Sequence, residues 1–215
     1  MQYQHTDATL ALMKQAPVIP VMQVADAADA LAQAKSLIGG GLTVLEITLR
    51  TKAALKSIEM LTRAFPEAII GAGTVTDADQ MEAAIDAGAA FLVSPGMTRR
   101  LLKAARKSPI PWLPGVATAS EAMTLHEHGF RCMKFFPAEA AGGVKYLSSL
   151  AGPLPDLVFC PTGGINPEKA KAYLELSNVA CVGGSWMVAP ALINAGDYAA
   201  VERLAKEACA LRAPV

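Results

Sequence analysis

Two short stretches carry the side chains best suited to chemistry. In CMKFFPAEAAGG (132–143) a lysine, Lys134, stands among Met133, Phe135 and Phe136 just before a proline. In LTVLEITLR (42–50) a glutamate, Glu46, stands in an aliphatic run that ends on Arg50. An unpaired ammonium in apolar surroundings is costly, so such a placement needs a reason. Chemistry supplies one: an amine sheltered from water and close to other cations loses its proton more readily, and the neutral amine attacks a ketone to form a Schiff base. Glu46 can move protons between amine, water and substrate. Arg50 adds positive charge, and its planar fork suits a carboxylate.

Whether these groups meet depends on strand parity. Side chains alternate faces along a strand, so Leu45, Ile47 and Leu49 share one side while Val44, Glu46, Thr48 and Arg50 share the other. The wholly aliphatic side must pack on helices, which turns Glu46 inward and sets Arg50 at the rim. The same alternation groups Cys132, Lys134 and Phe136 inward against Met133 and Phe135. A strand lysine more often lies on an edge or snorkels to water, and a buried glutamate more often completes a structural ion pair. One acid and one amine aimed at the same interior are more informative together, because packing alone does not explain their desolvation cost.

Eight apolar, β-branched runs recur: 18–24, 42–49, 67–73, 90–95, 110–115, 132–137, 156–164 and 178–184. Alanine-rich segments with helical periodicity separate them, among them DAADALAQAKSLIGGG, DADQMEAAIDAG, SEAMTLHEHG and NPEKAKAYLEL, opening on Asp, Ser or Asn and several closing on Gly. Strand alternating with helix implies a parallel sheet. Eight such units in 215 residues predict an α/β fold, a single closed (β/α)8 barrel spanning 1–215 with TDATLALMKQA as an extra N-terminal helix. An open doubly wound sheet is the alternative, but no GxGxxG follows the first strand. In such a barrel the chemistry sits at the C-terminal ends of the strands.

Two glycine pairs stand there, in PTGGINPEKA (161–170) and VGGSWM (182–187). Loops after the last two barrel strands often hold phosphate through backbone amides, although glycine also serves ordinary turns. Thr74 and Thr162, also at strand ends, can add hydroxyls or simply cap turns.

Composition narrows the partners. Nineteen basic and nineteen acidic residues give zero net charge, with no basic run to attract nucleic acid or acidic membranes. Cys132, Cys160, Cys181 and Cys209 form no CxxC and no Cys/His pair at metal-ligand spacing, so they read as reduced, buried thiols of a cytosolic protein. The N-terminal stretch has no signal-peptide pattern and no run reaches membrane-spanning length, so a soluble cytoplasmic protein is expected. His5, His126 and His128 fall on predicted terminal or helical surface and receive no role.

The residues resemble a known family, the class I aldolases acting on 2-keto-3-deoxy-6-phosphogluconate (KDPG) and 4-hydroxy-2-oxoglutarate (KHG). The resemblance runs in order through VLEITLRT (44–51), GAGTV (71–75), SPG (94–96), MKFFPAE (133–139), GGVK (142–145), FCPTGGI (159–165) and GGSW (183–186). It implies the (β/α)8 barrel, a homotrimer, and a reaction that needs no cofactor or metal. It also implies that Lys134 is the Schiff-base lysine and Glu46 the general acid/base. Arg50 and Thr74 would hold the pyruvoyl carboxylate, with Pro95 and Phe136 shaping that pocket. Gly163, Gly164, Gly184 and Ser185 would hold the phosphate, and Thr162 would lie near the substrate hydroxyls. Two departures, Gln23 in the first strand and Ala141 where asparagine is frequent, bear on substrate preference. Rival readings are a galactonate-series aldolase, an isomerase or epimerase with Glu46 as enolisation base, and a barrel that binds a sugar phosphate without turnover.

Overall fold

A computed structural model describes residues 5–211. The first four residues of the N-terminal stretch, and the last four of the expected 1–215 domain, lie outside the described residues. Each apolar run forms a strand: β1 (Val18–Met22), β2 (Val44–Thr48), β3 (Ile69–Gly73), β4 (Phe91–Val93), β5 (Trp112–Leu113), β6 (Gly115–Val116), β7 (Cys132–Phe135), β8 (Val158–Pro161) and β9 (Val182–Gly184). The helices are α1 (Thr6–Lys14), α2 (Ala27–Gly39), α3 (Ala54–Ala64), α4 (Ala78–Asp86), α5 (Arg99–Ala105), α6 (Ala119–Glu127), α7 (Gly143–Ser149), α8 (Pro167–Leu174), α9 (Pro190–Asn194) and α10 (Tyr198–Cys209).

Local chemistry explains the helix starts. Asp26, Asp77 and Asn166 each accept a backbone N–H from the first turn of α2, α4 and α8, satisfying a donor that the helix itself leaves unpaired. For α6 the cap is Thr118 rather than the expected Ser120. Thr118 and Glu121 form a reciprocal capping box, which satisfies two donors where a lone serine would satisfy one.

The architecture is α/β, with every strand pairing parallel. One sheet runs β5-β4-β3-β2-β1-β9 and a second runs β6-β7-β8. Where the sequence predicts one continuous eight-stranded ladder, regular pairing lapses twice. The fifth run is split at Pro114, which has no N–H to donate, although its carbonyl still accepts from the Lys134 N–H at 2.8 Å. Between β8 and β9 only two parallel bridges form, Phe159 with Val179 and Thr162 with Gly183. There the Thr162 side chain occupies the space where a Cβ on Gly183 would be.

The strand faces sort as parity requires. Leu45, Ile47, Leu92, Met133 and Phe135 join the large core under the helices. Val44, Phe91, Val93, Cys132 and Cys160 join a smaller cluster on the other face, closed at one end by Leu12 and Met13 of α1. Each fully buried aliphatic side chain contributes roughly 1.5–3 kcal/mol, so a slip of one residue in β2 or β7 would be strongly disfavoured. That register is what aims Glu46 and Lys134.

Candidate active site

Glu46 and Lys134 meet on the face turned away from the helices. Lys134 Nζ lies 3.0 Å from Glu46 Oε1 and 3.5 Å from Oε2, across 88 residues of sequence. The two side chains are 7% and 4% exposed. Glu46 is in register with Gly71 of β3, and its carboxylate leans over Gly73, the register partner of Thr48, where a Cβ would overlap it. Two residues before Lys134, on the same face, burial and then the Asp7 carboxylate push the Cys132 thiol up to about 11. At neutral pH that thiol is not a nucleophile. The Phe136 ring lies under the amine, 5.5 Å from Nζ to the ring centroid, within cation–π range while the amine is charged.

The other expected residues stand at the C-terminal ends of neighbouring strands. Arg50 follows β2, is exposed, and makes no ion pair among the described residues. Thr74 follows β3 with φ 58°, a left-handed conformation costly for a β-branched residue, of order 1–3 kcal/mol. Hydrogen bonds on both sides impose it: Leu49 N–H to Gly73 O at 2.8 Å and Val75 N–H to Val93 O at 3.0 Å. Such strain is a recurrent mark of functional sites. Pro95 follows β4, and the buried Ser94 fixes its turn, accepting from Trp112 Nε1 at 3.0 Å and donating to Gly96 O at 2.7 Å.

After β8, Gly163 and Gly164 adopt φ of 105° and 76°. The carbonyls of Thr162, Gly163 and Gly164 are all taken, by Ala138 N–H at 2.8 Å, Glu139 N–H at 3.2 Å and Lys169 Nζ at 3.3 Å. The N–H groups of Gly163 and Gly164 find no acceptor among the described residues. Backbone donors rarely stay unpaired, and successive free amides in such a turn suit an anion. At the end of β9, in register with Pro20 of β1, Gly184 is buried and Ser185 is exposed at the start of a short 3₁₀ turn, Trp186–Val188. The structure thus sets Arg50, Thr74, Pro95, Phe136, Thr162, Gly163, Gly164, Gly184 and Ser185 at or just past the C-terminal ends of their strands, while Glu46 and Lys134 lie within β2 and β7.

The histidines lie apart: His5 Nε2 is 2.9 Å from Ser108 O, and His128 Nδ1 is 2.8 Å from Thr124 O. No disulfide links the cysteines; Cys132, Cys160 and Cys181 are buried and Cys209 partly so.

Comparison with known proteins then decides the family. Residues 10–204 match the profile described as KDPG and KHG aldolase. The chain belongs to the KDPG/KHG aldolase family. It is 49% identical to a 2-dehydro-3-deoxy-phosphogluconate aldolase of Pseudoalteromonas atlantica, over 93% of each chain. It is 48% identical to a KHG/KDPG aldolase of Escherichia coli, over 89% of this chain and 90% of the relative. Among solved structures, the KDPG aldolase of Legionella pneumophila, with pyruvate captured as a covalent carbinolamine, superposes with a TM-score of 0.92 at 46% identity, covering 94% of this chain and 98% of that one. Membership in this aldolase family makes the chain a carbon–carbon lyase.

Sequence reasoning missed three supporting groups in this aldolase: Ser94 under the Pro95 turn, Gly73 beside Glu46, and Glu139 behind the Gly163–Gly164 turn. All three sit inside motifs already singled out, SPG, GAGTV and MKFFPAE. Their neighbours across the fold, which give them their tasks, are not legible from spacing.

Proposed function

We propose that the chain is a class I aldolase that cleaves 2-keto-3-deoxy-6-phosphogluconate to pyruvate and glyceraldehyde 3-phosphate, and 4-hydroxy-2-oxoglutarate to pyruvate and glyoxylate. The observation that carries the reading is the buried Lys134–Glu46 contact at 3.0 Å. The names of its relatives and the covalent pyruvate adduct of the Legionella enzyme support it.

In this mechanism the Lys134 amine attacks the C2 ketone, and Glu46 relays the protons that turn the carbinolamine into an iminium with loss of water. Cleavage of the C3–C4 bond sends its electron pair into the iminium, while the C4 hydroxyl loses its proton to Glu46, directly or through water. The aldehyde leaves, the enamine is protonated at C3, and hydrolysis returns the amine and pyruvate. Arg50 and Thr74 hold the carboxylate, Pro95 and Phe136 wall the pyruvoyl group, Thr162 lies near the hydroxyls, and Gly163, Gly164, Gly184 and Ser185 receive the phosphate.

We also read the two sheets as one closed (β/α)8 barrel in a single domain. The β8–β9 bridges and the Pro114 carbonyl bonded to β7 support closure at the two lapses. The homotrimer and cytoplasmic setting implied by the resemblance belong to the same proposal.

Borohydride added in the presence of pyruvate tests the chemistry. One peptide, the one containing Lys134, gains the mass of a reduced pyruvate adduct. Labelling at another lysine, or none at all as for an isomerase, overturns it.

A further inference from the structure

The Gly163–Gly164 turn is held from behind by a cluster that the mechanism leaves unused. Glu139 Oε1 accepts from the Tyr173 hydroxyl at 2.6 Å, and Oε2 lies 2.7 Å from Lys169 Nζ. Tyr173 is fully buried on α8, so its hydroxyl is a fixed anchor. Lys169 also donates to Gly164 O at 3.3 Å, and the Glu139 backbone N–H donates to Gly163 O at 3.2 Å. The Glu139 side chain lies so close behind Gly164 that a Cβ there would come within 2.9 Å of its Cγ. Both carboxylate oxygens are therefore engaged within the protein, on the side where the turn's carbonyls are held.

We propose that Glu139 is a positioning residue for phosphate recognition: with Tyr173 and Lys169 it locks the Gly163–Gly164 turn so that the two glycine amides stay free for the substrate's phosphate. This rests on the phosphate reading of that turn given above. The same strand and loop carry Lys134, five residues earlier, so the clamp also sets the distance between the Schiff-base end of the substrate and its phosphate end. Paired ions suit this task. Lys169 offsets the Glu139 charge, which would otherwise repel the phosphate, and charge-assisted bonds hold geometry better than neutral ones. Consistent with that pairing, the hydrogen bond from Lys169, then that from Tyr173, holds the Glu139 carboxyl below its ordinary value.

The test compares two substrates, one with phosphate and one without. Pyruvate release from 2-keto-3-deoxy-6-phosphogluconate and from 4-hydroxy-2-oxoglutarate is measured for the full-length enzyme and for Glu139→Ala, Glu139→Gln and Tyr173→Phe. Inorganic phosphate serves as competitive inhibitor. For Glu139→Ala, KM for the phosphorylated substrate and the phosphate inhibition constant both rise about 10- to 100-fold, the scale of a misplaced binding group, while kcat changes little. KM for the phosphate-free substrate stays within about twofold of wild type, far below the tenfold that about 1.4 kcal/mol would bring. Tyr173→Phe and Glu139→Gln, which keep shape and fold, show the same pattern with smaller amplitude. Equal losses on both substrates, or none on either, overturn the clamp. Ser185→Ala separates the two readings. If it weakens phosphate inhibition while the Glu139 variants do not, only the clamp is wrong; if no variant at either turn does, the phosphate reading falls with it.

Discussion

Two lysine–glutamate pairs divide the labour of this molecule. Lys134–Glu46 and Lys169–Glu139 have similar separations, 3.0 and 2.7 Å, yet the first pair is 7% and 4% exposed and the second 47% and 31%. The shorter contact is not the more consequential one. In the interior, both ions have given up water, a cost that attraction repays only with good geometry, so the fold holds the amine and carboxylate of the proposed chemistry against a standing penalty. At the rim, water still serves both partners and the pair contributes little energy, less than about 1 kcal/mol. What it supplies is direction. One pair is suited to reacting and the other to placing.

The sharpest way to break this contrast is to remove the inner amine. Lys134→Met abolishes cleavage and destabilises the protein by about 3–5 kcal/mol, because Glu46 is left without its counter-ion. Urea unfolding reads the loss, and Lys134→Met/Glu46→Gln recovers part of it. A double variant no more stable than the single one would show that Glu46 is not the ionised partner. Next in size, Glu46→Gln keeps the shape of the site but removes the proposed proton carrier, lowering kcat by about 10² to 10⁴. A loss of less than tenfold, measured as pyruvate release, would assign the proton relay elsewhere.

The smallest effect belongs to the rim. The Lys169 and Tyr173 hydrogen bonds lower the Glu139 carboxyl value on folding, so its stabilisation is present above the unfolded glutamate value and lost as pH falls through the lower folded one. The stability gap between wild type and Glu139→Gln, taken from urea curves at a series of pH values, is under about 1 kcal/mol at neutral pH and closes on acidification. A gap that widens toward acid would contradict the pairing.

Much of this is legible in the sequence, and parity explains why. A period of two leaves no choice about which side of VLEIT faces the helices, so Glu46 had to share a face with Val44 and Thr48. The same rule separated Lys134 from Met133 and Phe135, and the two hydrophobic clusters divide along those lines. The cap of α6 was misplaced by two residues because Ser120 and Thr118 are both acceptable hydroxyls, and only the Glu121 reach-back selects one. The break at Pro114 was readable in principle, since a proline inside a strand run always lacks a donor.

By itself, then, the chain determined its alternation of strand and helix and the inward aim of its acid and amine. These follow from local rules, side-chain period and backbone propensity, that act within a few residues. The tertiary structure alone decided that Glu46 and Lys134 touch across 88 positions, that Thr74 is forced into a left-handed backbone, and that Glu139 turns back to Tyr173 and Lys169. Those outcomes depend on which strands and loops become neighbours, and neighbourhood is set by packing the whole chain at once.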